Sequence, residues 1–135
     1  MVFGFQLKAQ TLDEANRLNR NEQFEDADSM FKRLIKSKPS EANFYYFAGL
    51  NLLQKGDSIG AIKMFDDGLL KTPKCKINLV GKGLIALRQG KTSEAELYFT
   101  QAGQEKKKLL PFINKEIGRA YLWCPYGTKA QLLDY

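Results

Sequence analysis

The 135-residue chain contains no histidine. That absence removes the commonest general base and the commonest metal ligand together. Only two cysteines occur, Cys75 and Cys124, and no C-x-x-C pair exists. A zinc site or a thioredoxin-like motif therefore has no basis. Free thiols are the first expectation, and the spacing leaves a disulfide open without suggesting one. No apolar run approaches the roughly 18 residues that a membrane-spanning helix needs. No stretch alternates apolar and polar residues long enough to argue for a sheet.

What is present is ordinary in bulk and uneven in charge. Apolar residues make up 44% and charged residues 27%, a balance typical of globular domains. The length suits one domain with a real core. The formal net charge is +6. From Met1 to Glu41, seven basic residues balance seven acidic ones, whereas from Ala42 onward fourteen basic residues face eight acidic ones. The excess would favour an acidic partner, and a solvated basic face is the simpler explanation. The opening Val2-Phe3-Gly4-Phe5-Gln6-Leu7-Lys8-Ala9-Gln10 is similar to the tail of a secretory signal peptide, or is a frayed helix start. The first alternative points to an address outside the cytoplasm, in the periplasm or cell envelope.

Internal periodicity is the strongest signal. Ala27, Ala61 and Ala95 stand 34 residues apart, as do Phe31, Phe65 and Phe99. Ala15, Gly49 and Gly83 keep the same spacing, and so do the pairs Pro39/Pro73 and Gly56/Gly90. Gly118 and Ala130 extend the series with one extra residue, attributable to an insertion in the Glu105–Leu110 stretch. Within each period two helical patterns are separated by a break. Phe44, Tyr45, Ala48, Leu52 and Leu53 recur at helical intervals, then Gln54-Lys55-Gly56-Asp57 interrupts them. Asp57 is placed to cap the next helix, whose apolar stripe would be Ile59, Ala61, Ile62, Phe65, Leu69 and Leu70. Thr11-x-x-Glu14 reads as a capping box for the first helix. The small residues mark close approach of backbones, and the phenylalanines fill the space between helix pairs. One pair cannot bury its apolar face alone, so pairs must stack.

On these residues the chain resembles the tetratricopeptide repeat family. The family pattern is matched by Ala15, Leu18, Ala27, Phe31 and Pro39, by Gly49, Leu52, Ala61, Phe65 and Pro73, and by Gly83, Ala86, Ala95 and Phe99. A fourth repeat opens with Gly118, Tyr121 and Ala130. Lys107 stands where a third closing proline would fall, and Gly68, Lys82 and Glu14 also depart from the pattern. The resemblance implies an all-α solenoid of stacked antiparallel helix pairs, three repeats plus an incomplete fourth. The repeats would span about 8–41, 42–75, 76–109 and 110–135 of a domain covering 11–135. It also implies a protein- or peptide-binding scaffold that is not an enzyme and uses no cofactor, metal or small-molecule substrate.

Partners in the resembled family lie along a concave groove lined by the first helix of each pair. Register places Asn16 there from the first repeat, and Asn43, Tyr46, Leu50 and Leu53 from the second. Ile77, Val80, Leu84, Leu87 and Arg88 follow from the third, and Arg119 from the fourth. The stripe is apolar at its centre and basic at its ends, which suits an amphipathic or acidic peptide. A neighbouring segment of the chain itself is the alternative cover for so much apolar surface. A subgroup of the family holds carboxylate C-termini, and of its groove residues only Asn16 is matched here. Leu12, Phe47, Ile77 and Gly81 occupy the other positions, so that activity does not carry over.

Three other motifs have simpler explanations. Gly81-Lys82-Gly83-Leu84-Ile85-Ala86 fits a dinucleotide-binding fingerprint, yet Gly83 and Ala86 already belong to the repeat register, and no parallel sheet is available. Gly90-Lys91-Thr92 matches the end of a phosphate loop but lacks its leading glycine. Lys71, Lys74, Lys76 and Lys82, with the run Lys106-Lys107-Lys108, offer an alternative as a nucleic-acid-binding helical repeat, without interleaved aromatics to stack bases. The last segment, with Leu122, Trp123, Leu132 and Leu133 on a face with no following repeat, suggests end-to-end self-association or a continuation of the array.

Overall fold

The computed structural model describes residues 11–104 and 108–123. Those residues form seven α-helices and no strand. They are α1 (Leu12–Arg20), α2 (Phe24–Ser37), α3 (Ala42–Lys55), α4 (Ser58–Lys71), α5 (Ile77–Arg88), α6 (Thr92–Ala102) and α7 (Leu110–Trp123). The pairs α1–α2, α3–α4 and α5–α6 pack internally and stack in chain order, with α3 against α5 and α5 against α7. None of these helices is long and apolar enough to cross a membrane. The segment expected to close a fourth pair, the two leucines and Ala130 within it, Cys124, Lys107 and the N-terminal stretch lie outside the described residues.

All nine positions of the Ala/Gly and Phe series are buried. The joint they build is specific. A Cβ on Gly49 would come within 2.2 Å of the Phe65 ring, and one on Gly81 within 2.4 Å of the same ring. Phe65 is thus seated between the first helix of its own pair and that of the next. Phe99 repeats the arrangement, 2.3 Å from where a Gly83 Cβ would stand, with the Tyr121 ring of α7 at 5.4 Å on its far side. Gly81 and Gly83 are therefore packing residues in a helix interior, and Ile77-Asn78-Leu79-Val80 is helical, so the dinucleotide fingerprint has no strand before it.

The turns inside the pairs share a backbone solution. Gly56 and Gly90 adopt positive φ, 99° and 76°, the left-handed conformation that glycine takes without steric cost. Glu22, 34 residues before Gly56, takes φ 60° at the same point of the first pair. Asp57 caps α4 as expected, accepting from the Gly60 N–H at 2.8 Å. The Thr11 cap forms at 3.4 Å to the Glu14 N–H, but the reciprocal half of the capping box is missing. The Glu14 carboxylate turns instead to the Arg17 guanidinium one turn along, a charge-assisted contact that outcompetes a neutral backbone donor. Ile59 and Leu70, expected on the inward stripe of α4, are 84% and 76% exposed. They fall off the line through Ala61, Phe65 and Gly68 that faces α3 and α5.

Gly49→Leu should destabilise the fold by roughly 1–3 kcal/mol through overpacking against Phe65. Gly118→Ala, where an added Cβ meets no described atom within 4 Å, should instead be neutral or gain up to about 1 kcal/mol from helix propensity. Urea melts of the two variants should move in opposite directions, and equal shifts would refute the joint described here. Glu22→Gly should stabilise by about 1 kcal/mol or less, because it removes the left-handed strain while loosening the unfolded chain. The same melts measure it.

Candidate functional site

The first helices of the pairs carry the candidate surface, and α7 determines how much of it is open. The Tyr46 hydroxyl on α3 donates to Glu116 Oε1 on α7 at 2.9 Å, with both side chains about 2% exposed. Arg119 Nη1, one turn further along α7, donates to the other carboxylate oxygen at 3.4 Å. Beside this contact the Phe47 and Phe112 rings lie 6.3 Å apart. Ile113, Ile117, Ala120 and Tyr121 carry the rest of the inward face of α7 into the core built on α3 and α5. Glu116 interrupts that apolar face, and Tyr46 is the partner that makes its burial tolerable.

This packing decides where the sequence-derived groove residues end up. Tyr46, Leu50, Leu53, Ile77, Val80, Leu84 and Leu87 are all buried, none more than 5% exposed. Tyr46, Val80, Leu84 and Leu87 serve the core, so they cannot be the exposed anchors of a partner. The physical reason is that α3, α5 and α7 bury this stripe among themselves. Leu50, Leu53 and Ile77 reach only the floors of cavities. Asn16, Asn43 and Arg88 are half-buried and Arg119 is exposed, so these four remain open to contact.

Three neighbouring hollows remain along this face. The central one, of about 180 Å³, lies between α1 and α7 above α3, and Asn16, Asn19, Phe47, Leu50, Phe112 and Lys115 line it. At one end it merges through Asn19, Arg20, Gln54 and Arg119 with a wider hollow of about 690 Å³ that also takes in Leu53 and Arg88. At the other end Phe112 separates it from a hollow of about 330 Å³ bordered by Asn43, Ile77, Lys74 and Lys108. The cleft is therefore amide-rich and aromatic in the middle and basic at both ends.

Its walls are held by buried polar contacts. Asn51, fully buried, donates to the Phe24 carbonyl at 3.0 Å and accepts from Asn19 at 2.8 Å, which fixes the Asn19 amide at the cleft edge. Asn78, also fully buried, donates to the Ala42 carbonyl at 3.2 Å and ties α5 to the start of α3. Asn19, Phe47 and Glu116 were not among the sequence-derived site residues. Glu116 was detectable in principle, as a carboxylate at helical spacing between Phe112, Ile113, Ile117 and Ala120. Asn19 was not, since its placement depends on a residue 32 positions away.

Burial, and then the adjacent Glu116 carboxylate, push ionisation of Tyr46 well above the usual phenol range. The folded protein thus holds this proton more tightly than the unfolded chain, whose tyrosines titrate near 10. The resulting stability is complete below that pH and is lost as pH climbs towards the folded value. Lys82 is also shifted upward, by its hydrogen bond to Asp66, and acts in the same direction. Tyr46→Phe should cost about 1–3 kcal/mol at neutral pH by removing a donor from a buried carboxylate. It should also flatten, without abolishing, the fall of Tm above pH 10. An alkaline limb as steep as that of the unmodified protein would show that Tyr46 is not buried as described.

Comparison with known proteins agrees with the geometry. A family model described as Tetratricopeptide repeat matches residues 12–67 and, overlapping it, 48–106, together well over half of the chain. No curated protein matches it.

Proposed function

The chain belongs to the tetratricopeptide repeat family, whose members generally mediate protein–protein interactions, and we propose that it is a protein- or peptide-binding scaffold whose partner lies in the cleft between α1, α3 and α7. The observation that carries this reading is the composition of the cleft. Asn16, Asn19 and Gln54 offer amides that can donate to and accept from an extended backbone, and Phe47 and Phe112 offer apolar walls between them. The family is typically non-enzymatic, and no step of bond making is proposed for this chain. Among the described residues no group of three or more histidine, cysteine, aspartate or glutamate side chains could hold a metal ion.

The alternative of a nucleic-acid-binding repeat is the weaker reading. Lys82, one of the cations that would have to meet phosphates, is already engaged by Asp66 at 2.8 Å. Among the described residues, no exposed aromatic platform accompanies Lys71 at the end of α4 or Lys74 and Lys76 in the α4–α5 connection.

Photo-crosslinking tests the cleft directly. A benzoylphenylalanine at Asn16 or Gln54, in the protein returned to its natural source, should trap a discrete protein partner. The same probe at Lys32 or Lys63 on the second helices should not. Crosslinks arising only from the second-helix positions would move the binding surface off the cleft.

A further inference from the structure

Resting on the scaffold reading above, we propose that the wide end of the cleft, between Arg20, Arg88 and Arg119, is a site for an acidic internal segment of the partner, in which neighbouring Asp or Glu side chains flank an apolar residue. Arginines from three different helices line one hollow of about 690 Å³, Arg119 among them already bonded to Glu116. Among the described residues, no carboxylate lies within 4.0 Å of Arg20 or Arg88, whereas Arg17 is paired within its own helix. Arg88 is half-buried. An arginine that lines a hollow without a carboxylate beside it keeps its planar set of donors available, and an incoming carboxylate can take them in a charge-assisted, two-pronged contact.

A structural explanation covers part of this. Arg20 and Arg88 sit in the last turns of α1 and α5, where a cation complements the negative end of the helix. That role requires one cation per helix. It does not require the two to converge, nor to be joined by Arg119 from the middle of α7. Convergence is what a fork-like donor set for two or more carboxylates needs.

The rest of the hollow selects among anions. Glu22 stands on its border, and Glu116 lines the adjoining central hollow, bonded to Tyr46 and Arg119. A continuous phosphate backbone following this border would run past the exposed Glu22 carboxylate, whereas side-chain carboxylates on an extended peptide can be spaced to avoid it. Phe24 and Leu53 on the same wall give an apolar residue between the acids a place to rest. Asn19 and Gln54 are within the same hollow for the intervening backbone.

The test uses the full chain and a dye-labelled peptide built from Glu-Glu-Leu-Gly units, blocked at both ends so that no terminal carboxylate is present. Its Gln-Gln-Leu-Gly counterpart and a labelled oligouridylate of similar length serve as competitors in class. Fluorescence anisotropy should show binding of the acidic peptide that weakens with added salt. The double variant Arg20→Ala/Arg88→Ala should lose about tenfold or more in affinity, with an unchanged helical circular-dichroism spectrum at the assay temperature and a melt lowered only slightly by the loss of two helix-end cations. Lys63→Ala, on the outer side of α4, should bind as the unmodified protein does. Equal binding of the glutamine peptide, an unaffected double variant, or tighter binding of the oligouridylate would each overturn the proposal. If the acidic peptide fails while the probes at Asn16 and Gln54 still trap a protein, the acidic preference falls and the scaffold reading stands. If those probes trap nothing and the acidic peptide still binds through the arginines, the site stands and the scaffold reading falls.

Discussion

Everything in this fold depends on one aromatic ring finding no side chain beneath it. Phe65 can stand between α3 and α5 only because Gly49 and Gly81 both present bare backbone to the Cε1 side of its ring. The ring both fills the joint and sets the distance between neighbouring pairs. Close-packed interiors do not deform continuously, so an added methyl group at either glycine has to displace the ring or separate the helices. Phe99 imposes the same condition on Gly83. The spacing of first helices along the stack follows from these joints, and the spacing of first helices defines the cleft.

The third joint differs from the second in a way that shapes the functional face. Where Phe65 meets a glycine of the following pair, Phe99 meets the Tyr121 ring of α7. The extra residue between the third and fourth repeats leaves the inward side of α7 in register with that of α5. Glu116 stands at the register of Gly81 once that residue is allowed for, yet it reaches to Tyr46 on α3. The helix that extends the array beyond α5 thereby also reaches back to its middle. Buried ion and hydrogen-bond pairs of this kind contribute little net stability against an apolar alternative, but they penalise any packing that leaves the carboxylate alone. The Tyr46–Glu116 contact thereby selects one seat for α7 among the many that its apolar face would accept.

The repeat architecture was legible in the sequence because it is encoded locally and repeated. Ala27, Ala61 and Ala95 report the same contact three times, and the recurrence removes the ambiguity of any one instance. The turn glycines were legible for the same reason, but Glu22 was not recognised as the first of their series, because residue type and not backbone conformation marks the series in sequence. The open surface was legible only in part. Of the positions that register assigns to the groove, Asn16, Asn43, Arg88 and Arg119 still reach solvent. It cannot distinguish an apolar residue that awaits a partner from one that meets α7, since both look alike at position 46 or 84. Ile59 and Leu70 failed in the opposite sense, apolar in type yet exposed, because hydrophobicity is a one-way guide to burial.

The burial of the apolar stripe has a consequence for the kind of recognition this face can support. An open groove of Tyr46, Val80, Leu84 and Leu87 would bind by hydrophobic area, tolerantly and with little dependence on salt. With those side chains assigned to the core, what remains are amides on α1 and α3, two aromatic edges, and cations at both ends. Contacts of that composition discriminate by hydrogen-bond geometry and charge placement more than by area, and charge at a rim acts mainly on association rate. The half of the chain that carries the charge excess contributes Arg88, Lys115 and Arg119 to this face, while the balanced half contributes Asn16, Asn19 and Arg20. The net charge of +6 is therefore not only a property of solvated outer helices. Part of it is carried by residues on different helices that the Phe65 and Phe99 joints bring to the border of a single cleft.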